Sequence, residues 1–180
     1  LIAVAFFFDL AEALAPPVDA DSLAYHFNRP KQFIAAGEIF FIPQAWTGAV
    51  PLLTQMTYVP ALALGGEGAL TLWTMFSSWA AAGFLFVLCR RFLDLNWALA
   101  VTLIFLTTPA VIYGAGSGQV ETRIALFVMV TAWAIVRAIE TGRANYAVLA
   151  GLGAGLFAAA KYTGLLFAAV SGLVIIFQRN

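Results

Sequence analysis

From Ala69 to Leu88 the chain runs for about 20 residues without a charged side chain, and that run limits the fold more than any other feature. A stretch of this length crosses a hydrocarbon core of about 30 Å as a helix. Lipid offers no water to backbone N–H and C=O groups, so a crossing segment must satisfy them internally. Similar apolar stretches recur at Trp97–Tyr113, Ile124–Ile139, Tyr146–Ala160 and Leu165–Phe177. A first one, Leu1–Ala15, stops at Pro16-Pro17, a pair that cannot continue a helical ladder. The expectation is an all-α, polytopic transmembrane helix bundle of about six membrane segments, with residues 1–180 forming a single domain.

Composition agrees. Apolar residues make up 63% of the chain and charged residues 10%, against about 25% charged in a soluble domain. The nine basic and nine acidic residues cancel, which leaves no basic surface for nucleic acid. The single Cys89 has no disulfide partner, and no Cys/His cluster has metal-ligand spacing. Leu1–Ala15 covers only about 22 Å at roughly 1.5 Å per residue. The first span therefore reads as cut short, and the chain as the N-terminal portion of a longer membrane protein.

One polar interval stands out, Asp19–Gly37, which holds two aspartates, the sole histidine, an arginine and a lysine. Asp21 or Ser22 suits the N-cap of a helix over Leu23–Asn28, and Pro30 the start of another. Leu23, Phe27 and Ile34 would form an apolar stripe on an interfacial helix in this first outer loop. Glu38–Gly66 is divided by Pro43, Pro51, Pro60, Gly48 and Gly65-Gly66. It reads as an extramembrane or re-entrant loop with a short helix near Leu52–Leu64, or as an ordinary packed loop. Ala147, Gly151, Gly155 and Ala159 recur every four positions, the pattern of a close helix–helix ridge.

Alternating the spans puts Arg90, Arg91, Arg137, Arg143 and Arg179 on one side, and Arg29, Lys31, Arg123 and Lys161 on the other. The richer side is expected in the cytoplasm. The polar interval, Glu121 and Lys161 then share the outer face. Asp21 is the leading candidate for chemistry there, as a helix cap, a general base or an oxygen ligand to a divalent cation. Glu121 would complement a helix dipole, pair with Arg123, or form a two-carboxylate site with Asp21 that divides acid and base roles or holds a metal ion. Lys161 either snorkels to the interface or meets a phosphate. His26 is a helix-face hydrogen-bonding residue or a substrate contact. Arg29 and Lys31 would attract lipid phosphate or balance Asp19 and Asp21. Asp9 and Glu12, on one face of the first span, would line a cavity leading to the island or lie near the surface.

Three blocks, DSLAYHFNRPKQFIAAGEI, TQMTYVPALALGG and AGLGAGLFAAAKYTGLL, resemble bacterial polytopic glycosyltransferases of the GT-C superfamily, a group that includes protein O-mannosyltransferases and the lipid A aminoarabinose transferase. The resemblance implies an inner-membrane enzyme that moves a sugar from a polyprenyl-phosphate donor to an acceptor outside the cytoplasm. Asp21 would then be catalytic base or metal ligand, Glu121 the second acidic residue, and Lys161 the neighbour of the lipid phosphate. Relatives often carry Asp where Glu121 stands. Two other readings stand beside the enzyme. One is a truncated, non-catalytic subunit bound to other membrane subunits. The other is a transporter, for which only Asp9 and Glu12 speak.

Overall fold

The computed structural model describes residues 1–43 and 51–178. All regular elements among them are helical. They are α1 (Ile2–Ala13), one π-helical turn (Ser22–His26), α2 (Asn28–Ala36), α3 (Leu53–Gly65), α4 (Gly68–Cys89), α5 (Leu95–Leu106), α6 (Pro109–Ala115), α7 (Glu121–Thr141), α8 (Ala144–Ala160) and α9 (Thr163–Gln178). Arg179 and part of the Glu38–Gly66 interval, including Gly48, lie outside the described residues.

Two helices, α4 and α7, are long and apolar enough to cross a membrane. Their 22 and 21 residues give lengths of about 33 and 32 Å. The single span expected over Trp97–Tyr113 is broken: α5 and α6 meet at 66°. Proline restricts the residue before it to extended backbone. Thr108 accordingly sits at φ −66°, ψ 126°, and Pro109 opens α6. Taken as one bent crossing, the pair makes a third span. α8 and α9 are apolar but shorter, and α1 has 12 residues. The structure thus supports two or three spans by length and composition, fewer than the six expected.

α7 and α8 form the tightest hairpin. Gly142 ends α7 with φ +65°, a conformation open to glycine at little cost, and α8 starts two residues later. The ridge expected to pack α8 is not the one that does. Gly151 and Gly155 are exposed, whereas Ala150, Gly153, Ala154, Phe157 and Ala160 are buried. A Cβ on Gly153 would collide with Thr131 Oγ1 and crowd the Phe127 carbonyl of α7. The four-residue spacing repeats on both faces of α8, so spacing alone did not say which face meets α7. Edge-to-face rings carry the contact further, Phe84 on Trp133 at 6.1 Å and Trp133 on Tyr146 at 5.6 Å.

Charge pairs mark the two ends of the bundle. Arg91 and Arg137 both reach Glu140, at 2.6 and 3.1 Å, joining the C-terminal ends of α4 and α7. At the opposite end Lys161, just after α8, pairs with Glu121, the first residue of α7. The helices α4 and α7 therefore run parallel and α8 returns between their ends. The polar interval lies at the Glu121 end, as its contacts with Gly118 and Gln119 show.

Candidate functional site

The site is built from three internal segments that meet at one end of the bundle. The first is the π-helical turn, in which the Phe27 N–H donates to the Ser22 carbonyl five residues back at 2.9 Å. Such a turn carries one residue more than an α-turn and is frequent at functional sites. Its extra width lets residues four and five on from Asp21, namely Tyr25 and His26, flank the same face. The expected helix over Leu23–Asn28 is therefore this turn followed by α2, which begins at Asn28 and takes Pro30 in its first turn. Phe27 and Phe33 are buried while Leu23 and Ile34 are exposed. The three residues of the expected stripe thus do not share one face.

Asp19 is the cap. Its Oδ1 accepts from the Ser22 N–H at 2.8 Å and from Gln119 Nε2 at 3.3 Å. Asp21 makes no capping bond. The helix-cap role weighed for Asp21 belongs to its neighbour, and the Asp21 carboxylate is left for the cleft.

The second piece is the loop before α7. Ser22 Oγ accepts from the Gly118 N–H, and the Gly118 carbonyl accepts from Tyr58 Oη at 3.0 Å. Phe27 packs edge-on against Tyr58 at 5.1 Å, and both join Leu70 in a buried cluster. Gly118 is required here by close approach. A Cβ on it would sit 2.7 Å from Ser22 Oγ and 2.8 Å from the Phe27 ring. The third piece is the α8–α9 junction, Lys161–Thr163.

Together these pieces enclose a cleft of about 390 Å³ lined by Asp21, Tyr25, His26, Gln55, Glu121 and Lys161, with Gln119 and Tyr162 among its other walls. Asp21, His26, Glu121 and Lys161, four residues singled out from the sequence, are thus brought to one place. Lys161 Nζ is 2.9 Å from Glu121 Oε1, with the two side chains 48% and 54% exposed. His26 is buried, and Gln55 Nε2 lies 3.0 Å from its Nδ1. Its ring meets that of Tyr25 at 4.0 Å. Burial pushes the His26 pKa down to about 4, against the opposing pull of Glu121, Asp21 and Asp19, and with Arg123 adding to the lowering. The imidazole is therefore neutral at pH 7. Burial first, then Asp21 and Glu121, raise the Tyr25 phenol.

Other expected site residues lie elsewhere. Lys31 pairs with Glu67 at the start of α4. Arg29 is buried in the first turn of α2 and does not line the cleft; burial lowers its pKa, with the Tyr25 hydroxyl opposing. Arg123 is not the partner of Glu121 and is not at a surface. It is buried between α3, α4 and α7, donating to Ser77 Oγ at 3.2 Å, the Thr54 carbonyl at 3.4 Å and Thr57 Oγ1 at 2.8 Å. Its guanidinium lies 4.6 Å from the Tyr58 ring centroid and 5.9 Å from that of Trp73. Buried Asp9 accepts from Trp79 Nε1 at 3.1 Å. With Glu12 it lines a different, apolar groove of about 600 Å³ against Leu103, Leu106 and Ile112. Among the described residues no group of three or more His, Cys, Asp or Glu side chains could hold a metal ion.

Residues 31–179 match the family model of glycosyltransferase family 87. The chain belongs to glycosyltransferase family 87. Membership of this family, with the long apolar helices, makes it a membrane glycosyltransferase by kinship and implies a sugar donor and an acceptor. Gln55, Gln119, Glu121 and Lys161 fall inside the matched range, whereas Asp19, Asp21, Tyr25 and His26 precede it. Searches of curated proteins and of solved structures return no match.

Gln55, Gln119, Tyr25 and Tyr162 were not singled out from the sequence. Gln55 sits in an otherwise largely apolar helix. A polar amide in the first turn of a helix beginning after Pro51 was the available signal.

Proposed function

We propose that the cleft transfers a sugar from a polyprenyl-phosphate donor to an acceptor hydroxyl at the outer face of the membrane. The observation that carries this is the meeting of Asp21, Glu121 and Lys161 in one cleft at one bundle end, in a chain of a glycosyltransferase family. Asp21 takes the proton of the acceptor hydroxyl as general base. The acceptor oxygen bonds to the anomeric carbon while the bond from that carbon to the phosphate oxygen breaks. The electron pair leaves with the phosphate, whose charge Lys161 meets. Asp21 is suited to this because Asp19 already caps the turn. Tyr25 and Tyr162 offer apolar ring surface beside these few polar groups, the usual make-up of a small-molecule site.

The remaining assignments belong to the same proposal. The cleft end faces outward and the Arg90-Arg91 end faces the cytoplasm of a bacterial cell. Counting α1, the bent α5–α6 pair, α8 and α9 as crossings beside α4 and α7 gives six membrane segments. The exposed Leu23 and Ile34 enter the headgroup layer. Kinship to protein O-mannosyltransferases and the lipid A aminoarabinose transferase rests on the blocks that carry Asp21 and Lys161.

A second role for the acids is favoured by Asp21 and Glu121 lining the same cleft: oxygen ligands to a divalent ion that arrives with the phosphate. Asp21→Asn in the full-length protein, assayed with polyprenyl-phosphate hexoses, is expected to lower turnover at least about 100-fold, the scale of general-base catalysis. Unchanged turnover would remove Asp21 from the reaction. Treatment with EDTA is expected to leave the rate unaltered, since Lys161 already supplies positive charge. A loss restored by Mg²⁺ or Mn²⁺ would give the two acids the metal role instead.

A further inference from the structure

The cleft contains one hydrogen bond whose direction fixes the chemistry of the group beyond it. Gln55 Nε2 lies 3.0 Å from His26 Nδ1, with both residues almost wholly buried. An amide nitrogen only donates, so the Nδ1 it meets is the unprotonated nitrogen, and the neutral ring carries its proton on Nε2. The reverse amide orientation would put two N–H donors, in place of one unmet oxygen, into the buried position where Gln55 Oε1 now lacks a partner. Nε2 has no partner among the described residues. The ring itself lines the cleft.

We infer that Gln55 is a positioning residue that holds His26 as its Nε2–H tautomer, and that this N–H donates to a hydroxyl oxygen of the sugar. The inference rests on the glycosyl-transfer reading of the cleft. A neutral donor suits a neutral oxygen, and phosphate in this cleft has Lys161. The charged groups around the ring are Glu121, Asp21, Asp19 and Arg123, with Lys161 on the cleft wall. Three acids would favour an imidazolium, yet burial keeps the ring neutral. Gln55, being uncharged, then decides which nitrogen holds the proton. Asp21 accepts from one sugar or acceptor hydroxyl while His26 gives to another, so the two ends of the turn read both senses of a hydroxyl.

His26 is the sole histidine of residues 1–180, and in the full-length protein labelled with ¹⁵N-histidine its imidazole signals are the set that His26→Gln removes. The wild type is expected to show Nε2 protonated and Nδ1 unprotonated at pH 7. Gln55→Leu is expected to yield a mixture of tautomers, and Gln55→Glu to move the proton to Nδ1. Titrating the wild type with methyl hexopyranosides is expected to shift the Nε2 signal more than the Nδ1 signal. In the transfer assay His26→Gln, whose amide N–H₂ reaches the place of Nε2, is expected to keep KM within about threefold. His26→Phe is expected to raise KM about tenfold, the loss of one neutral hydrogen bond. A proton on Nδ1 in the wild type overturns the inference, as does an unaltered KM in His26→Phe. If Gln55→Leu fails to fold, the wild-type tautomer and the hexopyranoside titration still decide. An Nδ1–H tautomer alongside inactive Asp21→Asn defeats this inference alone. Full turnover in Asp21→Asn removes Asp21 from the reaction and leaves this inference standing, whereas no transfer by the wild type defeats the transfer reading and the sugar assignment with it.

Discussion

Replacing Lys161 by Gln separates what its ion pair does for the fold from what its charge does for a substrate. The pair with Glu121 is short, at 2.9 Å, but both side chains are about half exposed. Exposed pairs of this kind contribute about 0.2–1 kcal/mol, because water screens the attraction and ordering two long side chains costs entropy. Lys161→Gln should therefore change the unfolding free energy by less than about 1 kcal/mol. Against a phosphate the same ammonium makes a charged hydrogen bond worth about 1.5–3 kcal/mol. At 1.4 kcal/mol for each factor of ten, its loss corresponds to about a 10- to 100-fold fall in kcat/KM.

The two numbers are read by denaturant unfolding in mild detergent and by transfer from a polyprenyl-phosphate hexose. Glu121→Gln supplies the complementary arm. If Glu121 is the resting partner that phosphate displaces, its removal should leave Lys161 available and KM for the donor unchanged or lower. A kcat/KM for Lys161→Gln within twofold of wild type would refute the phosphate role. An unfolding loss above about 2 kcal/mol would show the pair to be structural, and the activity change could then not be assigned to the charge.

Gly118→Ala should cost about 1–3 kcal/mol of stability, the range for overpacking, because its Cβ would press on Ser22 and Phe27. It should also lower turnover by displacing the turn that bears Asp21; an unaltered unfolding midpoint would contradict the close packing. Stability should also fall with acid through His26. Its pKa is about 4 in the folded chain, against 6.5 for an unperturbed imidazole, so the unfolded chain binds the proton first as pH drops. The contribution is complete above pH 6.5 and is lost towards pH 4, by up to about 3 kcal/mol at 1.36 kcal/mol per pKa unit. His26→Gln should flatten that interval of the stability curve, and an equally steep curve in the variant would assign the loss to other groups.

The helical class and the two longest crossings were legible because an uncharged run of spanning length has few other uses. Convergence of the polar interval with Glu121 and Lys161 was legible too, since alternating crossings return the chain to the same end. What was not legible depends on rotation about a helix axis or on which neighbour wins a hydrogen bond. Asp19 and Asp21 both suit a cap, and only the position of Gln119 and the turn beyond decides for Asp19. Arg123 follows Glu121 closely enough to suggest an ion pair. Glu121 instead meets Lys161, and Arg123 turns inward to α3 and α4. The α8 ridge failed for the same reason, because small residues line both of its faces. Pro109 was visible in the sequence, but a proline inside an apolar run fits either a kink or a break, and the structure shows a break, with a 66° bend between α5 and α6.

The placement of the cleft at helix ends follows from the cost of polarity in an apolar bundle. Gln55 lies in the first turn of α3, Glu121 opens α7, Lys161 follows α8 and Thr163 opens α9. Helix ends carry backbone groups without partners inside the helix and so tolerate polar company, whereas charge deeper in a lipid-embedded bundle must be compensated. Arg123 shows that cost: less than one turn further along α7 than Glu121, it is held by Ser77, Thr54, Thr57 and two aromatic rings, and one of its nitrogens still lacks a partner. A site made from helix ends has its geometry set by the heights at which helices start and stop. Here those heights are fixed by short connections, the Gly118 loop against Ser22 and the Gly142 turn that brings Lys161 back to Glu121. Changes in those connections should therefore alter transfer more than equally costly changes in the middle of α4 or α7.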